Sequence, residues 1–99
     1  MYMSFEQKFP ELFQFFGAYF PDADFEGISD EEVVARYVSD CLKSEVSTKG
    51  LAEAKSELNS LLSCVDEYWD EVSREANRYF ESPYQALEWL KMVKSNLNL

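Results

Sequence analysis

The chain has 99 residues and a mass of 11.6 kDa, which fits a single domain. It has 9 basic and 19 acidic residues and no histidine, so its formal net charge at pH 7 is −10. Proteins that bind nucleic acid or anionic membranes cluster Lys and Arg against phosphate, so neither partner is expected here. A basic protein partner is favoured instead, because opposite charge accelerates encounter.

The composition predicts an all-α fold. Only 6 residues are Gly or Pro, and only 9 are the β-branched residues Val, Ile or Thr, so turn formers and strand formers are both scarce. No repeat, low-complexity segment or linker divides the chain. We therefore expect residues 1–99 to form one compact antiparallel bundle of about five helices.

The first two predicted helices are separated by the longest break in the chain, Pro21 to Ile28. The first runs from about Ser4 or Phe9 to Phe20, with Phe15 off its apolar stripe. The second begins at a capping box, in which Ser29 accepts a hydrogen bond from the amide of Glu32 and Glu32 reaches back, and it continues to about Lys43. The predicted buried faces are Leu12, Phe13, Phe16, Tyr19 and Phe20, then Val33, Val34, Tyr37, Val38, Cys41 and Leu42.

Three further helices complete the predicted bundle. The third covers about Lys49 to Cys64, the fourth about Asp66 to Phe80, and the fifth runs to about Asn96. Ser82 caps the fifth, and Pro83 takes its first position. The predicted buried faces are Leu51, Ala54, Leu58, Leu61 and Leu62; Trp69, Val72, Ala76, Tyr79 and Phe80; and Leu87, Leu90, Val93 and Leu97.

The cysteines and the N-terminal segment favour a cytoplasmic protein. Cys41 and Cys64 are too few for a disulfide scaffold and too far apart for a zinc site, so we expect two buried free thiols. The first residues lack the basic region and long apolar run of a secretory signal. No apolar stretch reaches the ~20 residues of a membrane-spanning helix.

Catalysis and cofactor binding find little support in the sequence. There is no histidine to serve as a base near neutral pH, and no Ser or Cys lies in a recognisable activating context, so we expect no enzyme and no cofactor. The segment from Asp22 to Gly27 resembles the opening of a calcium-binding loop. The twelfth position, which needs a bidentate Glu, is Val33, so we expect no metal site.

Two acidic clusters are the candidate binding surfaces. The first comprises Asp22, Asp24, Glu26, Asp30 and Glu31, within a segment that has six acids and no basic residue. One interpretation is a solvated turn whose acids stabilise the next helix, and the other is an acidic patch that binds a partner.

The second cluster lies at the start of the fourth predicted helix. Its acids are Asp66, Glu67, Asp70 and Glu71, which either stabilise the positive end of the helix or bind a partner. Tyr68 falls off the apolar stripe of this helix and is a candidate interface aromatic. Trp69 belongs to the stripe and is expected in the core.

Three segments resemble the small helical immunity proteins of bacterial contact-dependent growth inhibition systems. The most specific is Gly17-Ala18-Tyr19-Phe20, within the run from Pro10, followed by an Asp-rich turn and Ser29-Asp30-Glu31-Glu32-Val33-Val34. In the turn, Asp24-Phe25 occupies the place of an Asp and a Trp in the family. Near the end, Ser82-Pro83-Tyr84 and Glu88-Trp89-Leu90 are similar to the closing helix of the family.

The resemblance implies an antitoxin that acts in the cytoplasm by binding the C-terminal toxin domain of a CdiA-type exoprotein, often a nuclease. The chain would be a monomer alone and a heterodimer with the toxin. The charge supports this function independently, because an enzyme that grips RNA or DNA has a basic cleft that an acidic protein can occupy. Two alternatives remain, an acidic helical adaptor unrelated to toxins and a calcium-responsive module.

Overall fold

A computed structural model describes residues 2–98, and the secondary structure within them is entirely helical. The all-α prediction is therefore confirmed, with six helices where about five were expected. The helices are α1 (Phe5–Lys8), α2 (Pro10–Ala23), α3 (Asp30–Cys41), α4 (Glu45–Leu62), α5 (Val65–Ala76) and α6 (Pro83–Leu97).

Ser29 and Ser82 cap α3 and α6 as predicted, but within the described residues Glu32 does not make the expected reciprocal bond to Ser29. Ser29 Oγ accepts a hydrogen bond from the amide of Glu32 at 3.2 Å, and Ser82 Oγ accepts one from Gln85 at 3.3 Å, with Pro83 at the first helical position. A full capping box with its reciprocal bond is found instead at the start of α1, between Ser4 and Gln7.

Several helix boundaries differ from the predicted ones. The first predicted helix is two, α1 and α2, because Phe9 leaves helical geometry at φ −130° and ψ 61°. Helix α2 continues through Pro21, whose missing amide falls in the last turn. Helix α3 ends at Cys41, and α4 begins early at Glu45 because Ser44 provides a cap.

Helix α5 ends at Ala76, four residues before its predicted end. Asn77 adopts a left-handed conformation at φ 55°, and the amides of Asn77 and Arg78 donate to the carbonyls of Arg74 and Ser73. This is the Schellman arrangement, which closes a helix. Tyr79 therefore lies outside the helix and is 81% exposed, so its predicted core position is wrong.

Helices α2, α4 and α5 each pack against four other helices. Helix α2 packs against α1, α3, α4 and α5, whereas α6 packs against α3, α4 and α5. The fully buried residues within the described part of the chain form one apolar cluster. Most of the predicted core belongs to it, including Phe16, Val72 and Leu90.

Three further predictions about the core are wrong for physical reasons. Phe15 is buried, because α2 has neighbours on several sides and Phe15 stacks on the ring of Tyr37 with centroids 3.8 Å apart. Leu42 is 62% exposed, since it follows the last residue of α3. Tyr68 is only 2% exposed, because α1 covers it and its hydroxyl donates to the carbonyl of Met3 at 2.8 Å.

Two other predictions are partly correct. Trp69 packs at the edge of the core and is half-buried. Within the described residues both cysteines are free thiols, Cys41 buried and Cys64 half-buried. No helix in this part of the chain has the length and apolarity that crossing a membrane requires.

Candidate functional site

The first acidic cluster lies where two connecting segments meet. One segment is the turn between α2 and α3, and the other is the loop between α5 and α6. Arg78 of the loop forms ion pairs with Asp24 and Asp30 of the other segment. We name residues 22–31 together with residues 77–81 the two-turn surface.

Arg78 and Asp30 form a bidentate ion pair at the base of this surface. Arg78 Nη2 donates to Asp30 Oδ1 at 2.7 Å, and Arg78 Nε donates to Asp30 Oδ2 at 3.1 Å. Trp89 Nε1 of α6 donates to the same Oδ2 at 2.8 Å. Asp30 therefore links the start of α3 to the α5–α6 loop through Arg78 and to the middle of α6 through Trp89.

The surroundings of Asp30 act on its pKa in opposite directions. Burial alone would raise the pKa of Asp30, but hydrogen bonds from Arg78 and Trp89 to the ionised carboxylate outweigh it and hold the pKa below its usual range. Asp30 also raises the pKa of Arg78. Asp30 is thus an ionised structural group whose charge already has a partner.

Asp24 links the two segments a second time. Its carboxylate accepts from Asn77 Nδ2 at 2.9 Å and lies 3.1 Å from Arg78 Nη1. Gly27 closes the turn at φ 69°, a conformation that favours glycine. The turn therefore has a defined conformation, fixed at both Asp24 and Gly27.

The remaining acids of this cluster face solvent. Glu26 pairs with Arg36 at 2.8 Å, and both side chains are about half exposed. Asp22 and Glu31 are exposed and have no ion pair within the described residues. Asp22 and Glu26 also line a cleft of about 310 Å³, which Asp40 of α3 borders. The carboxylates of Asp22 and Glu31 are therefore exposed and, among the described residues, unpaired, whereas the exposed carboxylate of Glu26 would have to leave Arg36 to bind a partner.

The second acidic cluster divides in the same way. Asp66, Glu67 and Asp70 are exposed and have no ion pair in the described part of the chain. Glu71 is half-buried, where it accepts from the amide of Phe5 at 3.1 Å and the hydroxyl of Tyr2 at 2.6 Å. Glu71 therefore holds the N-terminal segment, and its hydrogen bond raises the pKa of Tyr2 to about 12.

The ten predicted binding residues thus separate by environment. Asp24 and Asp30 are joined through Arg78, Glu71 is joined to the N-terminal segment, and buried Tyr68 is not the exposed interface aromatic that we expected. Asp24 is exposed although it is paired. The other exposed members are Asp22, Glu26, Glu31, Asp66, Glu67 and Asp70, and of these only Glu26 has an ion pair within the described residues, with Arg36.

Sequence reasoning missed Arg78 and the exposed position of Tyr79. A signal for Arg78 existed, because a chain with so few basic residues and so many acids favours ion pairing of any arginine next to a turn. For Tyr79 the signal was Asn77, one of the few residue types that tolerate the left-handed conformation and end helices.

The calcium-like loop start is organised around arginine. Asp24 pairs with Arg78 and Glu26 pairs with Arg36, so guanidinium groups neutralise two of the three carboxylates that a cation would need. Within residues 2–98 no group of three or more His, Cys, Asp or Glu side chains is arranged to hold a metal ion.

Comparison with known proteins identifies the family. A family model described as CdiI immunity protein matches residues 8–97. The chain therefore belongs to the CdiI immunity protein family, as the Tyr19-Phe20 motif and the closing helix indicated. Searches of curated proteins and of solved structures give no significant match.

Proposed function

We propose that this immunity protein neutralises the C-terminal toxin domain of a CdiA-type exoprotein, a nuclease, by covering its basic cleft in the cytoplasm. Membership of the CdiI immunity protein family supports a role in toxin neutralisation. The net charge of −10 supports the further step, because a nuclease binds its polyanionic substrate with clustered Lys and Arg.

The observation that carries the proposal is the set of exposed carboxylates without ion pairs in the described residues. In the first cluster these residues are Asp22 and Glu31, and in the second cluster they are Asp66, Glu67 and Asp70. Charges of this kind attract a basic domain over a distance set by the Debye length, about 10 Å at 0.1 M salt. These carboxylates stay hydrated in the free immunity protein.

Inhibition in this proposal needs binding and no catalysis. The immunity protein places carboxylates where the toxin would place phosphates, so the substrate is excluded from the cleft. Acids at the rim of the interface increase the association rate, whereas acids buried against toxin Arg or Lys slow dissociation. The complex is a heterodimer, and the chain is a monomer alone.

Charge-neutralised variants test the proposal. The turn variant D22N/E26Q/E31Q and the helix variant D66N/E67Q/D70N each remove three exposed negative charges. The control variant E45Q/E53Q/E88Q removes three exposed charges elsewhere. The probe is the C-terminal domain of the exoprotein encoded directly upstream, used in a nuclease-inhibition titration and in growth protection of cells that produce it.

We expect wild type and control to inhibit at equimolar ratio and at least one of the other variants to need a clear excess. Thermal unfolding monitored by circular dichroism confirms that each variant is folded. Full inhibition and protection by both the turn and helix variants would contradict the acidic surface. Failure of the wild type to inhibit would contradict toxin neutralisation itself.

A further inference from the structure

Building on the proposed function, we propose that Phe25 and Tyr79 are the aromatic anchors of the toxin interface. The two-turn surface presents them toward an apolar recess surrounded by basic groups on the toxin domain. This assigns the first acidic cluster as the interface and gives its acids the role of a charged rim.

The exposure of these two side chains is the first observation. Phe25 is 92% exposed in the α2–α3 turn, and Tyr79 is 81% exposed in the α5–α6 loop. Burying an exposed aromatic ring against a partner is favourable, because it removes apolar surface from water. Aromatic residues are enriched at the centres of protein interfaces, where truncating one has a large effect.

The rigidity of the supporting backbone is the second observation. Asp24, next to Phe25, is tied to Asn77 and Arg78, and Arg78 directly precedes Tyr79. The Ser73 hydroxyl donates to the carbonyl of Arg78. The two segments that bear the aromatics are therefore linked before a partner binds, which lowers the entropy lost on association.

The charge around the aromatics determines the kind of partner. Asp22 and Glu31 on one segment and Glu81 on the other are exposed, and within the described residues they have no ion pair. The nearby arginines are already paired, Arg36 with Glu26 and Arg78 with Asp24 and Asp30. A second copy of this chain would bring the same acids face to face and be repelled. A basic domain is attracted, so the occupant is the toxin.

A second exposed apolar pair provides a contrast. Leu42 and Val46 are also largely exposed, at the corner between α3 and α4. Leu42 lines a cleft that Lys43 and Lys49 border together with Glu45. The two lysines make this corner a poor match for a basic face, so the pair serves as the matched control.

The test compares the double variant F25A/Y79A with the control L42A/V46A. The probe is the purified C-terminal domain of the exoprotein encoded directly upstream, and Kd is measured by calorimetry at fixed salt. We expect F25A/Y79A to weaken binding about 100-fold or more, and L42A/V46A by less than about threefold. All four side chains are exposed, so thermal unfolding should change little.

Three results would overturn the inference. Equal affinity of F25A/Y79A and wild type for the toxin domain would show that Phe25 and Tyr79 are not anchors, and it would leave the proposed function intact. Absence of binding by the wild type would overturn the proposed function together with the inference. A wild-type dimer in sedimentation that F25A/Y79A abolishes would assign the surface to a second copy of this chain.

Discussion

Asp30 shows how one residue joins local and tertiary structure. It is the first residue of α3, where an acid favours the helix dipole, and it also receives hydrogen bonds from Arg78 and Trp89. Removing a carboxylate from water is costly, so its stabilising effect depends on these donors being in place. The carboxylate of Asp30 therefore stabilises the two-turn surface only while both Arg78 and Trp89 donate hydrogen bonds to it.

Substituting Asp30 by Asn should destabilise the fold in a pH-dependent way. At pH 7 we expect D30N to lower the free energy of unfolding by about 1.5 to 3 kcal/mol, the usual range for hydrogen bonds to charged groups. The pKa of Asp30 is lowered in the folded protein, so its contribution is present above the unfolded pKa and is lost as the pH falls through the folded pKa.

The difference between wild type and D30N should therefore narrow as the pH falls below about 4, near the unfolded value for Asp. Urea unfolding at several pH values measures it. Substituting exposed Asp22 by Asn is the control, with an expected change within about 0.5 kcal/mol. An equal difference in the free energy of unfolding between wild type and D30N at pH 3 and pH 7 would argue that the ionised carboxylate of Asp30 does not stabilise the fold.

Residues differ in how far the sequence predicts their roles. Ser29 and Ser82 are recognisable caps because their partners lie three residues away. Arg78 lies 48 residues after Asp30, and no local pattern connects them. Tyr68 was misplaced because α1, which covers it, was not recognised as a separate helix.

At the level of elements, α2 begins without a cap from its own sequence. Phe9 precedes it and offers no side-chain hydrogen bond. Glu57 of α4 takes this role, because its carboxylate accepts from the amides of Glu11 and Leu12, each at 3.0 Å. Helix α2 therefore depends on a neighbouring helix for its N-terminal hydrogen bonds.

Removing the Glu57 carboxylate should cost more than removing a similar acid nearby. We expect E57A to lower the free energy of unfolding by about 1 to 2 kcal/mol, because two amides of α2 lose their partner. Glu53 lies one turn away on α4 and is exposed, so E53A should change stability by less than about 0.5 kcal/mol. Chemical denaturation of both variants checks this.

The carboxamide variant E57Q refines the test. It retains one oxygen that can accept a hydrogen bond, so its stability should fall between wild type and E57A. Equal stability of E57A and E53A would show that water satisfies the start of α2 as well as Glu57 does.

For the whole molecule, the sequence predicted the fold class better than the surface. The scarcity of strand formers and the helical spacing of apolar residues can both be recognised within short segments of the sequence. The all-α fold class could therefore be predicted from them. The two-turn surface depends on contacts between segments about 50 residues apart, such as Asn77 with Asp24. Local patterns cannot predict such contacts, although they did identify the acids that take part.

The net charge gives the molecule its proposed route to a partner. Four ion pairs occur within the described residues. Three involve acids of the two-turn surface, and the fourth involves Asp40 next to its cleft. Most other carboxylates remain exposed and create a negative field around the protein. Such a field accelerates association with a basic domain by about 10-fold to 1,000-fold at low salt.

The most direct test of acidic recognition is the association rate constant with the upstream-encoded toxin domain, measured by stopped flow from about 20 mM to about 500 mM salt. We predict that it falls at least tenfold for wild type and E45Q/E53Q/E88Q, and less steeply for D22N/E26Q/E31Q. An association rate constant that stays within about twofold across this range would contradict the account, because screening would then have no attraction to remove.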